Sequence, residues 1–464
     1  MALSTDTSDP RLDARRRRTV LWVVGLATLG LIFDGYDLVV YGVVVSTFLR
    51  DPSQIGQVTP ELAGALGSYA LIGVLVGALL AGTVGDIIGR RKVMLAAYAW
   101  FAIGMGVTAL MPTTTLFGLM RFVTGLGVGA LVATTGALVA EYAPAGKKNL
   151  ATAIAYAGVP IGSLMAALLG ILLLATIGWR GMFWIGALPL VTLLPLAFFK
   201  MPESVAWLAA RGHHEQARAM SERTGVPVPY APPEAPAAAG AVRAPGGRAG
   251  FAGLFSGTYV IPTALLGFIS GTCLMLVYSL NTWLPELMRR AGFEAKGSLA
   301  FLLVLNGGAI VGAFVGSWLA DRVGPKRVVA VCFLIGGVAI ALLTLNLPLG
   351  LLLLFVAFAG LGTSGTQTLI FAFVANYYRT NVRGAAVAWA AGFGRLGGVG
   401  GPLLGGFLIG AGLALSSIFY VLAGLCVLGL VLTLLVPATR GREVTPITIE
   451  PATPDGVPEA AAST

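Results

Sequence analysis

Runs of apolar residues about 20 long or longer follow one another along almost the whole chain, broken by short polar segments. Such a run is long enough for a helix to cross a hydrocarbon core of about 30 Å. The pattern predicts spans over about 20–49, 61–84, 93–111, 115–140, 150–176, 181–200, 256–288, 297–320, 328–346, 349–375, 385–410 and 414–436. The expected fold is an all-α membrane protein of twelve transmembrane helices in two six-helix halves. Its divisions are an N-terminal tail (1–19), a first half (20–200), a central loop and linker (201–255), a second half (256–436) and a C-terminal tail (437–464).

Composition excludes the soluble alternative. The chain has 464 residues, 57% hydrophobic and 11% charged, with mean hydropathy +0.87, against about 25% charged in an ordinary soluble domain. Its 64 glycines suit close packing of membrane helices. The net charge of +10 does not point to nucleic acid, because the basic residues sit between the apolar runs. Arg15–Arg18, Arg90, Arg91, Lys92, Lys147, Lys148, the central-loop bases, Arg322, Lys326, Arg327, Arg379 and Arg383 fall on one side. Arg50, Arg180, Arg289, Arg290 and Lys296 fall on the other. The bias places both termini in the cytoplasm. The first run is too long for a signal peptide and carries two aspartates, so it reads as a retained helix.

From Met201 to Glu222 the central segment is amphipathic and charged; from Val226 to Gly250 it is rich in Pro, Ala and Gly and reads as a flexible linker. His213 and His214, the two histidines of the chain, read as a solvated pair, with too few ligands nearby for a metal. Cys273, Cys332 and Cys426 read as small hydrophobes within apolar runs. The polar, proline-bearing tail beyond Pro437 is expected to be disordered.

A shift of 235 residues superimposes Gly73 on Gly308, Gly77 on Gly312, Asp86 on Asp321, Gly89 on Gly324, Arg91 on Lys326, Lys92 on Arg327 and Val93 on Val328. Repeated halves with a substrate site between them near the midplane are a common plan for transporters, and rocking of the halves gives alternating access. The segment from Gly82 through Asp86, Gly89, Arg90 and Arg91 to Lys92 resembles the loop signature between the second and third helices of the major facilitator superfamily. Asp321, Arg322 and Gly324 form its second copy; Ile87 departs from the arginine usual after the acid. By chemistry the segment supplies a tight turn, an acid at a helix end and a basic anchor. Its expected role is to latch the halves at the inside face; the plainer alternative is a basic turn that sets topology.

Asp34 and Asp37, three residues apart, share a face near the middle of the first run. Two ionised carboxylates at that depth are costly and repel. A group that loads and releases a proton as its surroundings change is what a proton-coupled carrier needs; an acid paired with an arginine, or capping a break at Gly35, is the structural alternative. The sequence Phe33-Asp-Gly-Tyr-Asp-Leu-Val-Val-Tyr41 resembles the aromatic acid:proton symporter family within that superfamily, especially its benzoate-type members. The resemblance covers the membrane part and implies that Asp34 and Asp37 serve proton-coupled uptake. Arg121, in Met120-Arg-Phe-Val-Thr-Gly-Leu-Gly-Val-Gly129, matches the superfamily's fourth-helix arginine and is expected to pair with one of them as part of a proton relay.

Arg395, deep in the eleventh run, is the expected anchor for a substrate carboxylate, which a guanidinium binds in a bidentate fork; snorkelling or a fixed ion pair is the alternative for both arginines. Tyr36, Tyr41, Asn281, Trp283, Asn306, Gln367 and Trp389 are candidates to line an aromatic-substrate cavity, although Trp283 and Glu286 also suit an interfacial belt. Glycine-rich stretches near Gly125, Gly158 and Gly401 lack the context of phosphate loops and read as packing. Gly158-Val-Pro-Ile-Gly162 departs from the signature of drug antiporters, and Met201-Pro-Glu-Ser204 resembles the segment after the sixth helix of sugar porters.

The expected function is symport of protons with a monocyclic aromatic carboxylate such as benzoate or hydroxybenzoate, by a monomer in a bacterial inner membrane, with no cofactor. Carriers for another organic acid, a sugar or a drug, and a transporter-derived receptor, are the alternatives. A membrane enzyme is excluded by the lack of a nucleophile-base set or metal ligands in the runs.

Overall fold

The structure is a computed structural model that describes residues 10–144, 148–228, 251–255 and 257–437. Residues 229–250 of the expected linker, both chain ends and Lys147 lie outside the described residues. Ten helical stretches are long and apolar enough to cross a membrane. One, Leu150–Lys200, is 51 residues long and turns at Gly178, where φ is 66°. It therefore makes two passes. With the 31-residue helix Thr380–Gly410 the count among the described residues is twelve.

In chain order, helix 1 is Pro10–Arg50, helix 2 Pro60–Ile88, helix 3 Arg90–Leu110 and helix 4 Thr114–Tyr142. Helix 5 is Lys148–Tyr156 with its continuation from Gly158 to the turn at Gly178. Helix 6 runs from that turn through the 3-10 segment Leu188–Leu190 to Leu193–Lys200. The second half has helix 7 (Val260–Arg290), helix 8 (Ala295–Val323), helix 9 (Pro325–Leu342), helix 10 (Leu349–Gly360, continued to Tyr377), helix 11 (Thr380–Gly410) and helix 12 (Leu415–Leu435). Helix 10 contains a π-helical turn, Leu361–Gly365. Three short helices, Val205–Ala210, His214–Thr224 and Phe251–Leu254, lie in the described part of the central segment.

Local chemistry sets the helix ends. Thr59 and Thr113 accept from the backbone N–H of Leu62 and Leu116, the N-cap role of a threonine hydroxyl. Gly89 and Gly324 carry φ of 104° and 92°, a region where an L side chain is strained. The two copies of the loop thus turn the same way. Helix 1 begins at Pro10, so Arg15–Arg18 lie on the helix itself rather than before it.

The repeat extends into packing. A methyl group on Gly73 would strike the Phe122 carbonyl oxygen, and one on Gly308 the Ala357 carbonyl, 235 residues on in both partners. Gly77 against Leu126 and Gly312 against Leu361 obey the same offset, as do Gly125 against Ala70 and Gly360 against Leu305. Helices 2 and 4 therefore cross as helices 8 and 10 do, with backbones in contact at glycine.

The halves meet at the end that holds the 1–2 and 7–8 connections. Gly64 of helix 2 lies under the Pro402 carbonyl, Gly406 of helix 11 under that of Pro60, and Gly42 of helix 1 against that of Asn281. Pro285 lacks the N–H that would bond the Asn281 carbonyl in a regular helix. That freed group meets helix 1. Ser68 donates to Val399 O at 2.7 Å, and Arg50 pairs with Glu286 at 3.5 Å. At the end with the basic loops, a methyl group on Gly82 of helix 2 or on Gly384 or Gly392 of helix 11 would meet nothing within 4 Å. The cleft opens to that side, the inside face in the topology set by the basic residues.

Helices 1 and 5 touch along Gly35, Gly158 and Gly162, where added methyl groups would meet the carbonyl oxygens of Val159, Thr28 and Ile32. Gly35→Ala is expected to destabilise the protein by about 1–3 kcal/mol through overpacking, read as a lower thermal midpoint in detergent. Gly25→Ala, where nothing lies within 4 Å, is expected to leave the midpoint unchanged; equal shifts for both variants would refute the close approach.

Candidate substrate and proton site

Helix 1 brings two carboxylates to the interior and the neighbouring helices treat them differently. Asp37 forms a buried ion pair with Arg121 of helix 4, Nη1 to Oδ1. The guanidinium sits 5.7 Å from the Tyr41 ring centroid and 5.8 Å from that of Phe183, a cation–π setting of low dielectric. Phe48, Phe117, Trp179 and Phe183 pack edge to face beyond it. The pair is thus sealed on one side by aromatic rings.

Asp34, one turn earlier, makes no hydrogen bond or ion pair with a described residue and is 8% exposed. The charges that act on it are Asp37 and, from the other half, Arg395. Arg395 donates to the Val74 carbonyl of helix 2 at 3.3 Å, so its guanidinium bridges the halves near mid-depth. Two tyrosines not singled out in the sequence belong to this cluster. Tyr156 of helix 5 and Tyr278 of helix 7 both lie in the field of Arg395 and Asp34. Tyr156 donates to Val132 O at 3.1 Å, whereas the Tyr278 hydroxyl has no hydrogen-bond partner among the described residues. Its ring packs on Gly398, one turn from Arg395. Tyr278 lies three residues before Asn281, a spacing that puts both on one helical face.

The other candidates separate. Tyr36 donates to Met182 O at 2.8 Å, Tyr41 to Ala63 O at 2.5 Å and Trp283 to Pro402 O at 2.9 Å, and all three are at most 2% exposed. Their rings fill helix interfaces and their polar atoms are already bonded, so they do not line the cleft. Asn306 Nδ2 donates to Asn281 Oδ1 at 3.0 Å, which ties helix 8 to helix 7. Gln367 donates to Ser270 Oγ at 3.1 Å, while its Oε1 is buried without a partner. Trp389 donates to Thr263 O at 2.9 Å and stacks with Phe255 and Phe393.

The loop signature does not act as the expected latch between halves in this structure. Arg90 pairs with Asp86 at 2.6 Å and with Glu141 at 3.5 Å. Arg91 donates to Phe198 O and Met201 O at 2.6 and 2.8 Å, and its backbone N–H to Glu203. Trp207 and Arg211 of the central segment hold the Asp86 carbonyl. Among the described residues none of these bonds reaches the second half, because the halves have parted at this end. In the second copy, Asp321 is exposed, Arg322 stacks 3.9 Å from the Trp318 ring and Lys326 caps helix 12 through Leu434 O and Val436 O.

A cleft between two six-helix halves, with charge at its midplane and, among the described residues, no assembled nucleophile and base, offers a small anion a cationic group to bind. Known proteins match that architecture. The family described as "Sugar (and other) transporter" matches residues 23–450. A benzoate transport protein of Acinetobacter baylyi is 34% identical over 430 residues, which covers 92% of this chain and 91% of that protein. A gentisate transporter of Corynebacterium glutamicum is 34% identical over 396 residues, covering 84% and 81%. The crystal structure of a D-xylose-proton symporter superposes with TM-score 0.69 at 18% identity, covering 91% of this chain and 99% of that one.

The geometry predicts that Asp37 and Arg121 stabilise the fold as a unit. Asp37→Asn or Arg121→Gln alone leaves a buried charge unmatched and is expected to cost about 3–5 kcal/mol. The double variant is expected to recover most of that loss in thermal unfolding. Additive losses would show that the two side chains are not coupled.

Proposed function

Since the chain belongs to the sugar (and other) transporter family of the major facilitator superfamily, we propose that it takes up a monocyclic aromatic carboxylate, of the benzoate or hydroxybenzoate kind, together with protons. The family's members and the curated relatives are transporters rather than enzymes, and the chain is a multi-pass inner-membrane protein. The observation that carries the proposal is the unbonded Asp34 carboxylate in the field of Arg395, contributed from opposite halves. The relatives named for benzoate, gentisate and 4-hydroxybenzoate support the substrate class.

One guanidinium facing one carboxylate gives a simple coupling rule. A substrate carboxylate that takes the bidentate positions of Arg395 removes the cation from Asp34. An ionised Asp34 left alone at that depth is costly, so it takes a proton. Substrate and proton are then loaded together. Asp37 keeps Arg121 as partner throughout and holds helix 1 in register. When the cleft opens inward and substrate leaves, the charge of Arg395 acts on Asp34 again, and Asp34 releases its proton.

The membrane potential contributes about 2.3 kcal/mol per elementary charge at 100 mV. An anion moving alone is opposed by it; more than one proton per anion turns it into a driving force. Each chain holds a complete site, so a monomer suffices, and the Gly82–Lys92 and Asp321–Gly324 segments act at the inside face when the cleft closes there. Of the residues assigned to that cleft, Tyr278 and Gln367 supply polar atoms and Trp389 an aromatic face.

In proteoliposomes with an inward proton gradient, labelled benzoate or 4-hydroxybenzoate is expected to accumulate, and to do so less as external pH rises. Asp34→Asn is expected to abolish accumulation while substrate exchange across the membrane persists. Arg395→Lys loses the fork and is expected to raise KM about tenfold or more. Gradient-driven accumulation by Asp34→Asn equal to wild type would remove Asp34 as the coupling group.

A further inference from the structure

A second grouping of unlike charges lies far from the midplane, at the end where the halves touch. Glu286 of helix 7 is buried, with a side chain 4% exposed. Arg290, one turn along the same helix, reaches it at 3.1 Å, and Arg50, the last residue of helix 1, at 3.5 Å to both oxygens. Arg289 interacts electrostatically with both Arg50 and Glu286. Three cations thus surround one acid. Asp51, next to Arg50, makes no ion pair with them among the described residues. Its carboxylate accepts from the Ser53 hydroxyl and N–H and from Gln54 Nε2, and those bonds hold its carboxyl below the usual range.

The positions of these groups give the cluster a two-state character. Arg50–Glu286 is the one ion pair among the described residues that joins the halves. If the halves part at this end, Arg50 leaves with helix 1. Arg290 travels with Glu286, because both are on helix 7. Glu286 therefore stays neutralised while Arg50 becomes an unmatched guanidinium, with Arg289 nearby, at the mouth through which a substrate would enter.

We propose that Arg50, assisted by Arg289, is an entry site for the carboxylate of the transported acid, and that Glu286 is the built-in competitor that reclaims Arg50 as this side closes. The proposal rests on the reading of the cargo as a carboxylate. A guanidinium at an open mouth raises the local concentration of anions and offers them two parallel hydrogen bonds. Closure brings Glu286 back to Arg50, so the anion is released toward the midplane rather than retained at the rim.

The test measures initial uptake of labelled benzoate by right-side-out vesicles over a range of concentrations and salt. Arg50→Gln is expected to raise KM about tenfold, to flatten the salt dependence of KM and, because closure loses its ion pair, to slow the maximal rate as well. Glu286→Gln is expected to lower KM and slow the maximal rate, because capture loses its competitor and closure loses its ion pair. A substrate-free readout follows the closure itself. Ser68→Cys sits in the closed contact, where the native serine is 1% exposed, and the native cysteines are buried. Adding Glu286→Gln is expected to raise its labelling by a membrane-impermeant thiol reagent. An unchanged KM for Arg50→Gln overturns the entry site, and unchanged labelling overturns the competing role of Glu286. Absence of benzoate uptake by the wild type, with labelling still responsive to Glu286→Gln, overturns the substrate assignment beneath it.

Discussion

A charge inside a bilayer has to be matched by another charge, by polar groups or by a proton, and the interior of this protein is organised around that requirement. Asp37 is matched permanently by Arg121 within the first half. Asp34, one turn away, has no permanent partner; the cation that acts on it belongs to the other half. Whether Asp34 is matched therefore depends on how the halves sit and on what occupies Arg395. The same helix carries a fixed charge and a conditional one because Arg121 belongs to its own half and Arg395 to the other.

That approach is itself a matter of glycine. Gly35 lies between the two acids, and with Gly158 and Gly162 it lets helix 5 come into backbone contact with helix 1. A larger residue would push helix 5 away and admit water or lipid to the acids. The freed carbonyl of Asn281, left by Pro285, is met by Gly42 in the same way. Helix 1 is thus held by backbone contact to both halves, and the acids ride between those contacts.

Much of this was legible in the sequence. The two half-sized blocks of apolar runs, the 235-residue repeat and the pairing of a first-helix aspartate with Arg121 are visible without coordinates, since each is a matter of spacing or of charge where charge is rare. The lining of the cleft was not. Between Gly30 and Leu49 no residue of helix 1 is exposed, so no apolar stripe distinguishes cleft from packing there, and Tyr36 and Tyr41 proved to bond to helices 6 and 2. Tyr278 escaped notice because an unbonded tyrosine looks like a bonded one in sequence. Arg50 read only as a loop charge, for its partner Glu286 lies 236 residues away.

The repeat also separates what packing demands from what chemistry demands. The contacts of helices 2 and 4 recur at the same offset in helices 8 and 10, down to the facing carbonyls. The charges do not recur. Position 356, the counterpart of Arg121, is valine, and helix 7 has no aspartate between Val260 and Arg290. Symmetric packing allows the halves to rock as similar bodies, while asymmetric chemistry gives each a separate task. The first half holds Asp34 and Asp37 and the loop network of Asp86, Arg90 and Glu141. The second half contributes Arg395 at mid-depth and Glu286 at the rim. At the rim Glu286 of the second half pairs with Arg50 of the first, and at mid-depth the charge of Arg395 acts on Asp34 across the same divide, so the acids and arginines of the two halves are matched only as far as the halves approach each other.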